Sequence, residues 1–189
     1  RAAAAAFLPL LRPLLLVSAR LIKTTSRGPV IFVDRRVGLG QRPFDLYKFR
    51  TMHADAQASQ RDLEEHNEAD GVLFKIRDDP RVIGVGRVLR RISLDELPQL
   101  FNVLRGEMSL VGPRPIIQDE LKHYGEQGAV FLALKPGITG LWQISGRSDI
   151  SYEDRVKLDI YYVENWSLFL DIKILLKTVA TILGMKGAY

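Results

Sequence analysis

The 189-residue sequence contains no cysteine, and its three histidines, His53, His66 and His123, are scattered without an HExxH or comparable ligand pair. The first absence excludes disulfides, thiolate metal sites and cysteine nucleophiles together, and fits a reducing compartment. The second argues against a zinc hydrolase. No Asp-x-Asp signature follows an apolar strand-like run, which disfavours a phosphatase of the aspartyl-phosphate type. Neither sign of charge dominates, since 27 basic residues face 22 acidic ones, so local clusters matter more than the total. With 47% apolar residues the chain can bury one core, and its length requires no second domain.

What charge there is concentrates between Lys75 and Arg91, where six cations stand against Asp78 and Asp79. Such a cluster fits phosphates or an acidic membrane surface, and equally a solvated basic face. The chain opens on arginine and five alanines, which reads as a truncated or placeholder start. From Ala2 to Ile22 it is long enough to span a bilayer and lacks the small-residue cleavage site of a signal peptide. Pro9, Arg12, Pro13 and Arg20 interrupt that run, and a proline's missing amide predicts a kink near Pro13. A bent, partly inserted helix therefore competes with a straight span, and both compete with an amphipathic helix docked on the domain. Val30–Val33, after the breaker Gly28-Pro29, and Phe44–Phe49, after the turn-rich stretch 38–43, predict a small antiparallel hairpin. Ala54 to Asp70 reads as an exposed helix or loop without chemistry of its own.

The densest signal is Arg90-Arg91-Ile92-Ser93-Leu94-Asp95-Glu96-Leu97-Pro98, two adjacent carboxylates directly behind paired arginines. Two short helices are expected to meet at Ser93. Ser93-Leu94-Asp95-Glu96 matches a capping box, in which the serine caps the third amide and Glu96 returns to the serine amide, so Glu96 reads as cap or as catalyst. Pro98 conflicts with that register, and starting the helix nearer Asp95 removes the conflict. In both registers Asp95 lies at the positive end of a helix, where free amides favour an ionised carboxylate and attract phosphate. The expectation is a low-pKa nucleophile that needs no deprotonation before attack. Gly112-Pro113-Arg114-Pro115 holds a guanidinium between prolines, either to grip a phosphate in a fork or as a merely rigid loop. Lys135–Trp142 and Ser145-Gly146-Arg147 form a second turn-rich, basic segment.

Taken in order, Lys48-Phe49-Arg50-Thr51-Met52, Asp78-Asp79-Pro80-Arg81, the Arg90–Leu100 stretch, Gly112-Pro113-Arg114-Pro115, Lys135-Pro136-Gly137 and Gly146-Arg147 resemble the bacterial sugar transferases, the monotopic phosphoglycosyl transferases. The similarity runs from about Leu10 to Tyr189. The resemblance implies transfer of a sugar-1-phosphate from a UDP-sugar to a polyprenyl phosphate with release of UMP, through a covalent phosphosugar-aspartyl enzyme. It makes Asp95 the nucleophile and Glu96 its partner, with both as ligands of Mg²⁺. Charge neutralisation around three anionic groups then falls to Lys48, Arg90 and Arg114, with Arg147, Asp79 and Arg81 as further substrate-binding residues. The rival from another class is a catalytically silent membrane module that binds nucleotide sugar or scaffolds a glycan assembly complex. An intact pair of carboxylates argues against it.

The C-terminal third fits a membrane-surface enzyme. Ser151-Tyr152-Glu153-Asp154 predicts a helix start, and Tyr161, Tyr162 and Trp166 near that helix's end suit a headgroup layer. From Leu168 to Leu183 a helical wheel gathers Leu168, Phe169, Ile172, Leu175, Leu176 and Val179 on one half, while Leu170 and Ile174 intrude on the polar half. That apolar face either lies in the membrane interface or packs on the core. The family's re-entrant N-terminal hairpin commonly breaks at Ser-Pro, whereas this sequence has Arg12-Pro13, and a charge in the hydrocarbon layer costs roughly 2.5–3.5 kcal/mol on insertion scales unless it snorkels. Larger relatives carry preceding membrane helices and a further soluble domain, of which this sequence shows neither. The expected fold is a mainly helical α+β domain with a small antiparallel hairpin, a kinked re-entrant membrane helix in residues 1–27 and a catalytic domain in 28–189 with interfacial amphipathic helices. Its expected location is the cytoplasmic face of a bacterial inner membrane. UDP-sugar, polyprenyl phosphate and membrane lipid are the expected partners, nucleic acid is not, and a homodimer is left open.

Overall fold

Alternation in the two early apolar runs is realised as an antiparallel hairpin of β1 (Ile31–Val37) and β2 (Pro43–Phe49), in register from Ile31 opposite Phe49 to Val37 opposite Pro43. The computed structural model describes residues 2–68, 74, 76–146 and 150–184. β1 runs further than its apolar start, through Asp34-Arg35-Arg36, because those charges find partners across and along the ladder. Arg35 lies opposite Asp45 and bonds it at 2.7 Å, and Arg36 bonds Asp34. On β2, period two sends Phe44 and Leu46 into one core and Phe49 into another.

The first helix, α1 (Ala2–Thr25), stays helical through Pro9 and Pro13. One face packs on α2 (Gly84–Arg91) and α3 (Gln99–Arg105), burying Ala4 at one end beside Leu100 and Val103, and Ile22 at the other beside Phe49 and Leu89. The opposite face leaves Phe7, Leu10, Leu16, Val17 and Leu21 bare. Among the described residues Ala4–Thr25 is the one helix long and apolar enough to cross a membrane. Its C-terminal end is held by the buried Arg50, whose guanidinium donates to the carbonyls of Ser26 and Arg27.

A second sheet was not legible beforehand. β3 (Ser109–Val111) pairs in parallel with β4 (Gly137–Thr139), three residues each, too short for a period to show. It lays the Gly112 and Lys135-Pro136-Gly137 turns backbone against backbone, so that a β-carbon on Gly112 would lie 2.4 Å from the Lys135 carbonyl oxygen. After α4 (Gly128–Phe131) and α5 (Leu141–Ser145) comes α6 (Tyr152–Glu164), capped as expected by Ser151, which accepts from the Asp154 amide at 3.1 Å.

The last helix, α7 (Leu168–Leu183), corrects one of the two readings of its apolar stripe. The stripe does not pack on the core, for Leu168, Phe169, Leu176 and Val179 are all more than half exposed. The supposedly intruding residues make the contact instead. Ile174 is fully buried against Val111 and Tyr162, Leu170 packs beside it, and Thr178 shares a 2.7 Å hydrogen bond with Thr139 of β4. Asp171 belongs to the same docked face and accepts from the Tyr162 hydroxyl at 2.6 Å. Tyr162 is therefore a core residue rather than a headgroup aromatic, while Tyr161 and Trp166 remain exposed.

Candidate active site

The hairpin, α2 and the turn before α3 enclose an open cleft of about 920 Å³. Lys48, Arg81, Arg90, Asp95, Glu96 and Trp142 are among the residues that line it. Lys48 continues the inward series Phe44, Leu46, so its ammonium emerges where β2 leaves the apolar core and meets Glu96 Oε1 at 2.9 Å. Asn102 of α3, wholly buried, fixes that approach. Its carboxamide accepts from the Tyr47 amide at 3.1 Å and donates to the Asp45 carbonyl at 2.7 Å, locking α3 to β2. Arg90 arrives from α2, which can press against the strand end because Gly86 has no side chain. A β-carbon there would lie 2.2 Å from the Thr51 carbonyl oxygen. One turn on, Arg90 Nε donates to Thr51 Oγ1 at 2.9 Å.

The carboxylate pair sits on a single 3₁₀ turn, Leu94–Glu96, entered through Ser93 in left-handed backbone at φ 56°. Three expectations are corrected here. The capping box does not form: no side chain caps the turn at Ser93, and Glu96 turns to Lys48 instead. Pro98 is the N-cap of α3, so the proline precedes that helix rather than sitting inside it. Asp95 therefore lies ahead of α3 and not on its first turn, and it is not a low-pKa carboxylate. Burial first, and then the charge of Glu96, push its pKa up to about 6, outweighing the opposing pull of Lys48 and Arg90. Arg90 is in turn lowered by burial, with Asp95 acting against that.

The structure gathers Lys48, Arg81, Arg90, Asp95 and Glu96 around one space and sets Asp79 and Arg114 behind it. Asp79 forms a buried fork with Arg81, at 2.9 Å to Nε and 2.6 Å to Nη2, and accepts from the Arg81 amide as well. Burial works to raise its pKa, but these Arg81 bonds prevail and hold it below the ordinary carboxylate value. Arg114 does not line the cleft. Its amide donates to Asp159 Oδ1 at 3.3 Å, its guanidinium bonds the buried Glu120 at 3.3 Å, and it lies 5.8 Å from the centre of the Trp142 ring. Arg155 covers the same ring at 4.3 Å, so Trp142 enters the cleft wall flanked by two guanidinium groups. Arg147 lies outside the described residues.

Sequence reasoning missed Trp142, Gln143 and Thr51, along with Gln57 and Gln60 from the stretch that had seemed free of chemistry; all five line the cleft. Only the lone tryptophan in a turn-rich basic segment carried a signal. Polar residues of the second stretch gave none, because long-range packing alone brings them to the site.

As a metal site the donor set is sparse. Among the described residues no group of three His, Asp or Glu side chains gathers for an ion. Asp95 and Glu96 nonetheless fit Mg²⁺. Two adjacent hard-oxygen donors that repel each other, one of them with its pKa raised by burial and then by that repulsion, suit an ion that takes one or two carboxylates and completes its shell with water and substrate phosphate.

A family model described as bacterial sugar transferase matches residues 1–185. The chain is 49% identical over 173 residues to the undecaprenyl-phosphate galactose phosphotransferase of Salmonella typhimurium, covering 88% of this chain and 36% of that protein. It is 45% identical over 194 residues to the exopolysaccharide production protein ExoY of Rhizobium meliloti, covering 99% of this chain and 84% of that protein. To the UDP-N-acetylgalactosamine-undecaprenyl-phosphate N-acetylgalactosaminephosphotransferase of Aeromonas hydrophila it is 41% identical, covering 98% of this chain and 43% of that protein. The chain thus spans well under half the length of two of these three relatives.

Proposed function

The chain belongs to the bacterial sugar transferase family, and we propose that it transfers a sugar-1-phosphate from a UDP-sugar to undecaprenyl phosphate, releasing UMP and starting glycan assembly on a lipid carrier. The observation that carries this is the half-buried Asp95 on a cleft wall, with Glu96 beside it and Lys48 and Arg90 around it. A carboxylate oxygen of Asp95 attacks the sugar-linked phosphorus. The bond to the UMP oxygen breaks, UMP leaves with the electron pair, and an acyl phosphate joining Asp95 to the phosphosugar remains. An oxygen of the lipid phosphate then attacks the same phosphorus, the bond to Asp95 breaks, and the carboxylate is regenerated while Glu96 takes any proton the lipid phosphate gives up. Lys48 and Arg90 offset the donor's negative charge, and Asp79 acts through Arg81 by fixing its guanidinium at the cleft wall. Arg114 supports the Trp142 wall, and Arg147 is a further substrate cation. Asp95 and Glu96 would hold Mg²⁺, which would supply charge neutralisation for the donor's phosphates.

Membrane attachment follows from the two bare apolar faces. Soluble surfaces rarely carry contiguous apolar patches of this kind, and α1 and α7 each present one. α1 is docked on the catalytic elements at both ends, through Ala4 and Ile22, which suits a helix entering and leaving by one leaflet better than one projecting across the bilayer. We accordingly place residues 1–27 as the re-entrant membrane segment and 28–189 as the catalytic domain, on the cytoplasmic face of a bacterial inner membrane. Relatives name different sugars, galactose in Salmonella and N-acetylgalactosamine in Aeromonas, so the donor is defined here as a UDP-sugar. Purified protein in detergent, offered a panel of UDP-sugars, is expected to release UMP continuously only when undecaprenyl phosphate is present. UMP release at the same steady rate without lipid, or none with any donor, would overturn the assignment.

A further inference from the structure

Behind the cleft wall lies a cluster of charge that the reaction as derived above does not use. Its centre is a pair of buried carboxylates, Glu120 from the 3₁₀ segment Gln118–Gln127 that precedes α4, and Asp159 of α6. Glu120 accepts from Arg114 Nη1 at 3.3 Å, from Arg36 Nη1 of β1 at 3.4 Å and from the Tyr152 hydroxyl at 3.4 Å. Asp159 accepts from the Arg114 amide at 3.3 Å and from the Tyr124 hydroxyl at 3.2 Å. One turn before Asp159 on α6, Arg155 lies over the same Trp142 ring that Arg114 approaches. The two guanidinium groups oppose each other there. Burial first, and then the charge of Arg114, bring the pKa of Arg155 down to about 10, while Asp159 and Glu120 act against that fall. Two like charges thus stay on one ring because two carboxylates sit behind them. Trp142 Nε1 is buried without a hydrogen-bond partner among the described residues, so the tilt of the indole rests on the groups packed around it rather than on a bond of its own.

We propose that Glu120 and Asp159 are positioning residues of the active site, holding Arg114 and Arg155 about Trp142 so that the indole stands at a set tilt against the nucleotide sugar. This rests on the reading of the cleft as the donor site and adds to it what sets one of its walls. Stability alone does not account for the cluster. The cost of desolvating a buried ion pair offsets its attraction, and apolar side chains of the same size would join α6 to the preceding segment at least as well. What the carboxylates supply is direction, since each accepts from donors that come from different elements and so fixes those elements relative to one another. The cluster also has one outlet. Of the residues just named, Trp142 alone lines the cleft, where Lys48, Arg81 and Arg90 offer the cations suited to the donor's diphosphate. A flat indole meets a nucleobase or sugar ring only when the two are aligned, so the tilt of Trp142, and not merely its presence, governs how well the donor is held.

Glu120→Gln and Asp159→Asn keep the shape of each side chain and remove its charge. In both, the KM for UDP-sugar is expected to rise about tenfold while the KM for undecaprenyl phosphate stays within about twofold, a coupling of ordinary size for residues in one network. A merely structural lesion would instead lower the amount of competent enzyme, read as the amplitude of the UMP burst, and leave the donor KM of the remainder where it was. A double-variant cycle shows whether the effect passes through the indole. Once Trp142→Ala is in place, Glu120→Gln should raise the donor KM no further, whereas fold-changes that multiply in the double variant would overturn the inference. Equal rises in both KM values, or a donor KM unmoved in Glu120→Gln and Asp159→Asn with the burst retained, would overturn it too and leave the transferase assignment standing. Absence of any burst in the unsubstituted protein would overturn that assignment itself. Should both carboxylate variants misfold, Tyr124→Phe takes their place, since it removes one hydroxyl donated to Asp159. Its donor KM is expected to rise about threefold with the lipid KM in place, and an unchanged donor KM would contradict the proposal.

Discussion

Setting two carboxylates side by side and partly burying one of them works against the fold, and Asp95 shows the sign of the effect. Its folded-state pKa of about 6 stands above the ordinary 3.8, so the folded protein favours the protonated form. The stabilising contribution is fully present below the unfolded value and is lost as pH rises through about 6. In EDTA, Asp95→Asn should therefore melt roughly 3–8 °C above the unsubstituted protein near neutral pH, the gap closing towards about pH 4, as calorimetry across pH would show. A lower melting point for the variant throughout would contradict the buried-carboxylate account. Asp79 predicts the opposite outcome. Asp79→Ala leaves the buried Arg81 guanidinium without its fork partner and should cost about 3–5 kcal/mol in denaturant unfolding. At this scale the cleft residues Lys48, Arg90, Asp95 and Glu96 were legible because each belongs to a dense local motif. The state of Asp95 was not, since its pKa depends on burial and on a turn whose proline lies one step outside the helix it had been assigned to.

Elements are held in catalytic register by a few close backbone approaches. α2 can deliver Arg90 to Thr51 only because Gly86 lets it press against the strand end. Gly86→Ala should destabilise the fold by about 1–3 kcal/mol through overpacking, and it should lower the rate of the UMP burst more than it raises the donor KM. A stable variant with an unchanged burst would show that α2 is not positioned in this way. The hairpin was legible from its alternation, though the charged end of β1 was not, since Arg35 and Asp45 pair only once the strands are in register. The parallel pair of β3 and β4 escaped notice altogether, because what fixes it is backbone contact between glycine turns rather than any pattern of side chains. For α7 the wheel found the apolar stripe but not the direction it faces. The two apolar residues on its polar half, Leu170 and Ile174, were the signal, since they mark the docked face.

For the molecule as a whole, the bare apolar faces of α1 and α7 carry the proposed attachment to a bilayer, and the charged cleft is a separate space lined by the catalytic turn. Replacing Leu168, Phe169 and Leu176 together by glutamate should leave circular dichroism in detergent unchanged and cut flotation with anionic liposomes several-fold, each charge opposing insertion by about 1 kcal/mol or more. Undiminished flotation would assign attachment to α1 alone. The account turns, however, on Asp95 as a covalent nucleophile, and intact-protein mass spectrometry after mixing with UDP-sugar in the absence of lipid tests this most directly. One sugar phosphate should be added to the protein at Asp95 for each UMP released, the adduct should disappear when undecaprenyl phosphate is supplied, and Asp95→Asn should form none. A folded Asp95→Asn protein with full steady-state turnover would contradict the account.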